Sequence, residues 1–109
     1  MRSFDVFMTN SGAADLEEII DYIAEHDSPE KARYVLSKIE KAFGSLSTAP
    51  ERGSYPNELR NLGIRDFREI FFKPYRMIYR IVGKRVYVLV IIDGRRDIQT
   101  LLQRRLLEA

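Results

Sequence analysis

The feature that most constrains the fold is a pair of strand-like segments joined by a two-residue turn. Residues 75–82 (YRMIYRIV) alternate between two faces, and residues 85–92 (RVYVLVII) are apolar on both faces. Gly83-Lys84 between them predicts a tight hairpin turn. A strand with two apolar faces is typical of the centre of a sheet. We therefore predict that residues 85–92 form the central strand of a mostly antiparallel sheet.

Two stretches of helical periodicity precede this hairpin. The first follows a predicted cap at Asn10 or Ser11, and its apolar stripe is Leu16, Ile19, Ile20 and Ile23. Its early acidic residues suit the helix dipole and are Asp15, Glu17 and Glu18. The second begins at Ser28-Pro29, a capping serine before an N-terminal proline, and its stripe is Ala32, Val35, Leu36, Ile39, Phe43 and Leu46. Because the break between them is short, the helices are predicted to form an antiparallel hairpin.

The remaining segments complete the order β–α–α–β–β–β–α. Residues 3–8 and 65–73 are predicted strands, residues 50–63 a predicted irregular loop, and Lys73-Pro74 a predicted turn. Asp97 is the predicted cap of a last helix, whose apolar stripe is Ile98, Leu101, Leu102 and Leu106. The sequence thus predicts a single α+β domain over residues 1–109, with the helical hairpin packed on one face of a four-stranded sheet. Alternation then puts Arg76 and Arg80 on the other face, toward solvent or a partner.

Composition excludes several kinds of chemistry. The chain has no cysteine and one histidine, His26, so disulfides, thiolate metal sites and histidine clusters are excluded. We therefore predict no metal and no cofactor. The longest apolar run, residues 86–92, is too short to span a membrane, and a cytoplasmic location is expected.

The charge is unevenly distributed along the chain. Residues 1–50 hold five basic and nine acidic residues, a net −4, whereas residues 51–109 hold thirteen and seven, a net +6. The basic half favours an acidic partner, either nucleic acid or an acidic protein segment. An ordinary solvated surface is the alternative interpretation.

The stretch DGRRDIQTLL, residues 93–102, places Arg95 and Arg96 directly after the central strand. Arginine binds phosphates and carboxylates but cannot accept a proton at neutral pH. The sequence contains no P-loop, no GxGxxG and no GxSxG motif. Metal-free RNA cleavage would need groups that remove and donate protons, as well as cations that stabilise the phosphorane. The arginines are therefore interpreted as groups that bind anions.

Two longer stretches, ADLEEIIDYI (14–23) and YRMIYRIVGKRVYVLVIIDGRRD (75–97), together resemble the RelE/ParE superfamily of toxins from bacterial type II toxin–antitoxin systems. The resemblance covers about residues 4–105. It implies a small α+β toxin, linked to growth inhibition and plasmid stabilisation. It also implies a hetero-oligomer with a cognate antitoxin whose acidic C-terminal tail wraps over the toxin. RelE-like members cut mRNA on the ribosome, whereas ParE-like members poison DNA gyrase.

The resemblance also places the RelE catalytic set on five positions of this sequence. Its two arginines fall on Arg76 and Arg96, its two lysines on Phe67 and Glu69, and its tyrosine on Leu102. Phenylalanine and leucine cannot exchange protons, and a glutamate brings negative charge beside an RNA phosphate. These departures favour a ParE-like toxin that binds DNA gyrase and has no catalytic site of its own.

These arguments assign two sets of binding residues. The predicted target-binding residues are Arg76, Arg80, Arg95 and Arg96, and the predicted antitoxin-binding residues are Tyr75, Tyr79, Leu101 and Leu102. A structural role is the alternative for the tyrosines and for the stems of the strand arginines. The alternative function is a ribosome-dependent mRNA endonuclease that uses Arg76, Arg96, Lys73 and Glu69. A further alternative is an inactive member that only binds the antitoxin.

Overall fold

The computed structural model describes residues 3–108, with side chains described through residue 105. The elements are β1 (Asp5–Met8), α1 (Asn10–His26), α2 (Pro29–Ser45), a 3₁₀ turn (Pro50–Arg52), α3 (Asn57–Arg60), β2 (Arg68–Phe72), β3 (Tyr75–Val82), β4 (Arg85–Asp93) and α4 (Ile98–Glu108). The predicted order of strands and long helices is confirmed. The Leu106 side chain, predicted to extend the apolar stripe of α4, lies outside the described side chains.

The four strands form one sheet in the order β1–β4–β3–β2. β1 runs parallel to β4, while the β4–β3 and β3–β2 pairs are antiparallel. The prediction that β4 is central is therefore confirmed. Gly83 in the β3–β4 turn has φ +61°, a left-handed conformation that glycine adopts without steric cost.

A β-bulge interrupts the pairing of β3 with β4. Ile78 is opposite Val90, but the next residue, Tyr79, is opposite Val88, which leaves Leu89 as an extra residue in β4. Leu89 and Val90 consequently pack on the same face of the sheet. Strict alternation along β4, which the sequence alone suggests, is broken at this point.

The helical hairpin of α1 and α2 covers one face of the sheet, as predicted. Ser28 caps α2 by accepting a hydrogen bond from the Lys31 N–H. The cap of α1 is Thr9, which accepts from the Gly12 N–H, so the predicted caps at Asn10 or Ser11 were wrong by one or two residues. The fully buried residues between hairpin and sheet include Ile39, Leu46, Met77, Tyr79, Val86 and Val88.

The opposite face of the sheet was expected to present Arg76 and Arg80 to solvent. This expectation was wrong for the part of the face that α3 and α4 cover. A second apolar cluster lies there under α3 and α4, formed by Leu59, Phe67, Ile78, Leu89, Val90, Ile92, Ile98 and Leu102. The predicted loop 50–63 contributes to it, because it contains the 3₁₀ turn and α3 and is not irregular throughout. Asp97 caps α4 as predicted, accepting from the Gln99 N–H.

No helix among the described residues combines the length and the apolar character that crossing a bilayer requires.

Candidate functional site

Arg76, predicted to bind a target, is instead saturated by two carboxylates from its own chain. Its guanidinium donates to both Glu58 oxygens at 2.8 and 2.9 Å, and its Nε donates to Glu69 Oε1 at 2.7 Å. Only 12% of the Arg76 side chain is exposed. Its hydrogen bonds tie α3 to the sheet, and the contact of Arg76 with a target stays a prediction.

The two carboxylates of this Arg76 cluster differ in their electrostatics. Hydrogen bonding to Arg76 lowers the pKa of Glu58, which is partly solvated. Burial raises the pKa of Glu69, and the hydrogen bond from Arg76 opposes that rise. Glu69 was predicted as a base in the endonuclease alternative. Its carboxylate faces a bound guanidinium, and its side chain is only 6% exposed.

Two of the four predicted antitoxin-binding residues lie in the interior. Tyr79 has no exposed surface, and its hydroxyl donates to the Pro50 carbonyl at 2.6 Å and accepts from the Gly53 N–H at 3.1 Å. Leu102 is 2% exposed and packs in the second apolar cluster. Both side chains are thus core residues of the folded chain, and their contact with an antitoxin stays a prediction.

The RelE-derived positions share this burial. Phe67 is 4% exposed and belongs to the same apolar cluster as Leu102. Two positions where the resemblance puts catalytic side chains in nucleases are thus joined here by apolar packing. Of the five positions, Arg96 alone has an exposed side chain.

Arg96 lies at the junction of two neighbouring cavities after the end of β4. One has a volume of about 630 Å³ and is also lined by Tyr75, Ile19 and Ile23. The other has a volume of about 180 Å³ and is also lined by Leu101. We define the Arg96 surface as eight exposed or half-buried residues that line one or both cavities: Glu18, Ile19, Tyr22, Tyr75, Asp93, Arg95, Arg96 and Leu101. Burial raises the pKa of Tyr75.

The charges within the Arg96 surface are partly paired. Arg95 donates from Nε and Nη2 to the two oxygens of Asp93, at 3.0 and 2.7 Å. This pairing lowers the pKa of Asp93 to about 2. Within residues 3–105, the Arg96 side chain has no hydrogen bond or salt bridge. Arg96 is therefore the predicted target-binding residue with the most available guanidinium at this end of the sheet.

Two further predicted residues do not belong to this set. Lys73 is exposed in the β2–β3 turn, which contains a cis peptide bond before Pro74. Arg80 lies toward the β3–β4 turn, with its guanidinium carbon 5.8 Å from the centre of the Phe67 ring. The structure does not bring Arg80 and Arg96 together into one site.

A further charged pair was missed in the sequence. Arg105 of α4 makes a bidentate contact with Asp15 of α1, at 2.7 and 2.9 Å, and also donates to the Leu89 carbonyl at 2.8 Å. Asp15 in turn accepts from the Ile91 N–H. This Asp15–Arg105 clasp satisfies backbone groups around the β4 bulge. Asp15 was assigned to the helix dipole, and a separation of 90 residues gives no periodic signal that would find its partner.

The described residues contain no group of three or more His, Cys, Asp or Glu side chains that could hold a metal ion. His26 is exposed, and its ring stacks on Tyr22 with centroids 4.1 Å apart.

The fold is shared with solved structures of toxin–antitoxin systems. A chain of the chromosomal ParDE toxin–antitoxin system from P. aeruginosa superposes with a TM-score of 0.69 and 24% identity, covering 84% of this chain and 96% of that one. The toxin–antitoxin complex RelBE2 from Mycobacterium tuberculosis gives 0.56 and 24%, covering 85% and 93%. The chain therefore shares the fold of the matched chains in these two toxin–antitoxin structures.

The sequence comparisons identify the family within that class. Residues 6–98 match the family described as the ParE toxin of the type II toxin–antitoxin system parDE. Toxin ParE3 from Caulobacter vibrioides is 32% identical over 93 residues, covering 85% of this chain and 89% of that protein. The chain belongs to the ParE family of type II toxin–antitoxin toxins.

Proposed function

We propose that this ParE-family toxin acts by binding DNA gyrase rather than by cutting RNA, and that a cognate antitoxin neutralises it. The observation that carries the proposal is the burial of Phe67 and Leu102 in one apolar cluster, at positions where the resemblance implies catalytic side chains in nucleases. An apolar cluster has no proton to give or take. The toxin therefore acts through surface contacts.

The remaining candidates for acid–base chemistry support the same proposal. Arginine stays protonated, and burial and pairing hold Arg76 inside the fold. The Glu69 carboxylate is within hydrogen-bonding distance of that guanidinium and is separated from solvent. A general base must reach the proton that it removes, and Glu69 does not reach a surface where RNA can lie.

The Arg96 surface is the proposed contact with gyrase. Its one unpaired guanidinium stands beside half-buried apolar side chains, including Ile19, Tyr75 and Leu101. A central charged anchor with apolar neighbours is a common composition of protein interfaces. The surface carries Glu18 as well, so its net charge is modest and contact is expected to depend on shape as well as charge.

The antitoxin is proposed to cover the same surface. ParDE and RelBE2, whose folds this chain shares, are toxin–antitoxin systems, which supports a hetero-oligomer here. A carboxylate of an acidic tail would pair with Arg96, and apolar side chains of the tail would pack against Tyr75 and Leu101. If antitoxin and gyrase use one surface, neutralisation follows from competition.

Purified gyrase provides the direct test. The toxin is expected to inhibit supercoiling and to increase trapped cleaved DNA, and prior addition of the antitoxin is expected to abolish both effects. Arg96→Ala is expected to raise the inhibitory concentration about tenfold, which corresponds to about 1.4 kcal/mol of lost contact. Lys41→Ala, which removes an exposed cation from α2, is the matched control and is expected to change it little.

The alternatives predict different outcomes. If gyrase is unaffected while toeprinting on translating ribosomes shows codon-specific cuts that Arg96→Ala removes, the toxin is an endonuclease and the proposal is wrong. If neither activity is found and induction does not arrest growth, the chain is an inactive member that only binds its antitoxin.

A further inference from the structure

A second exposed feature lies at the other end of the sheet from Arg96. The described side chains of α3 and α4 pack on Leu89, Val90 and Ile92. Toward the β3–β4 turn the same face is less covered, since Arg80 and Tyr87 are only half-buried there. Phe7, Tyr87 and Arg80 are neighbours there in three adjacent strands. Phe7 is 44% exposed, and its ring stacks on that of Tyr87 with centroids 5.6 Å apart and 24° between the planes. The open face thus presents a pair of parallel aromatic rings.

Arg80 lies beside Tyr87 in the neighbouring strand β3, and Arg65 lines a cavity together with Arg80. Arg80 lies over the Phe67 ring and has no hydrogen bond or salt bridge within residues 3–105. Arg65 is exposed and equally unpaired over the same span. Both line a cavity of about 420 Å³ together with Asp66. Two guanidinium groups are therefore available to one ligand, against one nearby carboxylate.

The neighbouring Arg68, in contrast, has a guanidinium that is already hydrogen-bonded within the chain. It also lines the cavity, but its guanidinium donates to the carbonyls of Glu51 and Gly53 and to the Tyr55 hydroxyl. Arg68 is thus part of the scaffold. Arg68 therefore stabilises the wall of the cavity, whereas Arg65 and Arg80 have no hydrogen bond or salt bridge within residues 3–105.

We propose that this open face binds single-stranded nucleic acid, with bases stacked on Phe7 and Tyr87 and phosphates bound by Arg65 and Arg80. Exposed aromatic rings on a sheet take any base, because every base has a π-face, and arginines beside them bind the backbone. A duplex keeps its base faces stacked internally and gains only the phosphate contacts. An acidic peptide would satisfy the arginines but would leave the ring pair largely unused.

The site is separate from the Arg96 surface, so the inference goes beyond the proposed function. The two surfaces lie at opposite ends of β4, one after Asp93 and one beside the turn at Gly83. A toxin that acts on a complex of protein and DNA would gain affinity from holding an unpaired strand. Binding of a free oligonucleotide nevertheless needs no gyrase and can be measured alone.

The test is fluorescence anisotropy with a labelled oligothymidylate of about 12 nucleotides, a length within the range of single-strand sites. Saturable binding by the full chain is expected, weakening with salt by about 0.7 in log–log slope for each phosphate neutralised. Tyr87→Ala and Phe7→Ala are expected to weaken binding about tenfold each. Tyr87→Phe keeps the ring and is expected to retain affinity, while Arg80→Ala is expected to reduce the salt slope by about 0.7.

Three matched controls define the site. Tyr34→Ala removes an exposed ring from α2, and Lys73→Ala and Arg96→Ala remove exposed charges at the other end of the sheet. All three are expected to leave oligonucleotide affinity unchanged within about twofold. Retained binding by Arg96→Ala also separates this site from the gyrase contact.

Several outcomes would overturn the inference. These are the absence of saturable binding, an equal loss with Tyr34→Ala, and competition by a duplex of the same sequence at equal concentration. Unchanged binding by Tyr87→Ala, together with displacement by polyglutamate, would show that the face recognises an acidic polypeptide by charge alone. Thermal unfolding of each variant identifies any loss caused by misfolding, and Tyr87→Phe provides the folded reference.

Discussion

The Arg76 cluster and the Arg96 surface contain the same type of side chain at positions predicted for the same role, yet their environments are opposite. Arg76 is bound by two carboxylates and is 12% exposed. Arg96 is exposed and has no such partner in the described chain. One arginine therefore contributes to the stability of the fold, and the other is available for a partner.

The two arginines differ in environment because carboxylates reach Arg76 and none is bonded to Arg96 within residues 3–105. Glu58 reaches Arg76 because α3 folds back over the sheet, and Glu69 reaches it across the β2–β3 pairing. Asp93 is near Arg96 in sequence, but Arg95 occupies both of its oxygens. Asp93 is thus paired with Arg95, and the Arg96 side chain has no hydrogen bond or salt bridge within residues 3–105.

The largest expected effect tests this comparison directly. Arg76→Ala is expected to lower the free energy of unfolding by about 3–4 kcal/mol, because it leaves the buried Glu69 carboxylate without its counter-ion. Arg96→Ala is expected to lower it by less than about 0.5 kcal/mol, as for other exposed positions. Urea denaturation followed by circular dichroism measures both values. Similar decreases in the free energy of unfolding for the two variants would show that Arg76 and Arg96 do not differ in their contribution to stability.

A second substitution shows whether the uncompensated charge is the cause. In the Arg76→Ala background, Glu69→Gln is expected to recover about 1–2 kcal/mol, because the remaining buried group is then neutral. No recovery would indicate that loss of packing by the arginine stem dominates.

The Asp15–Arg105 clasp is a second internal arginine pair and sharpens the comparison. Arg105→Ala is expected to cost about 2–3 kcal/mol, because it leaves an almost buried carboxylate and the Leu89 carbonyl without their donor. A double-mutant cycle with Asp15→Asn is expected to give a coupling energy of about 1–2 kcal/mol. A coupling energy near zero would show that the two side chains do not stabilise the fold as a pair.

The sequence was sufficient for the elements that have a strong periodic pattern. The stripes of α1 and α2 and the alternation of residues 75–82 are repeated over many positions, so tertiary contacts reinforce the local preference. The central position of β4 followed from its two apolar faces. The bounds of β3, Tyr75–Val82, agree with the prediction.

The sequence was insufficient where a single long-range contact decides the outcome. Glu58 lies on a helix of four residues, which is too short for a periodic signal, and nothing local links it to Arg76. Asp15 and Arg105 are similarly joined only by the folded chain. The burial of Tyr79 depends on a hydroxyl that meets the backbone of the 50–53 turn. Such contacts determine which predicted site residues remain exposed.

The two tyrosines of β3 allow a smaller test of the same distinction. Tyr79→Phe is expected to cost about 1–2 kcal/mol, because it leaves the buried Gly53 N–H and Pro50 carbonyl without their partner. Tyr75→Phe, on the partly exposed end of the strand, is expected to cost less than about 0.5 kcal/mol. Chemical denaturation measures the free energy of unfolding of both variants. A larger decrease for Tyr75→Phe than for Tyr79→Phe would contradict the assignment of Tyr79 to the core.

The smallest expected effect concerns Asp93, the carboxylate that pairs with Arg95. The pKa of Asp93 is about 2 in the folded chain, below its ordinary value of 3.8, so between these values the unfolded chain binds more protons. Stability is therefore expected to rise with pH across this window and to fall as Asp93 is protonated. Because Arg95 is 82% exposed, the contribution is expected to stay below about 1 kcal/mol. Asp93→Asn should flatten this part of the profile in urea titrations from about pH 2 to about pH 5. An unchanged slope would show that the Asp93–Arg95 pair has no energetic role, and Arg95 would then be as available to a partner as Arg96.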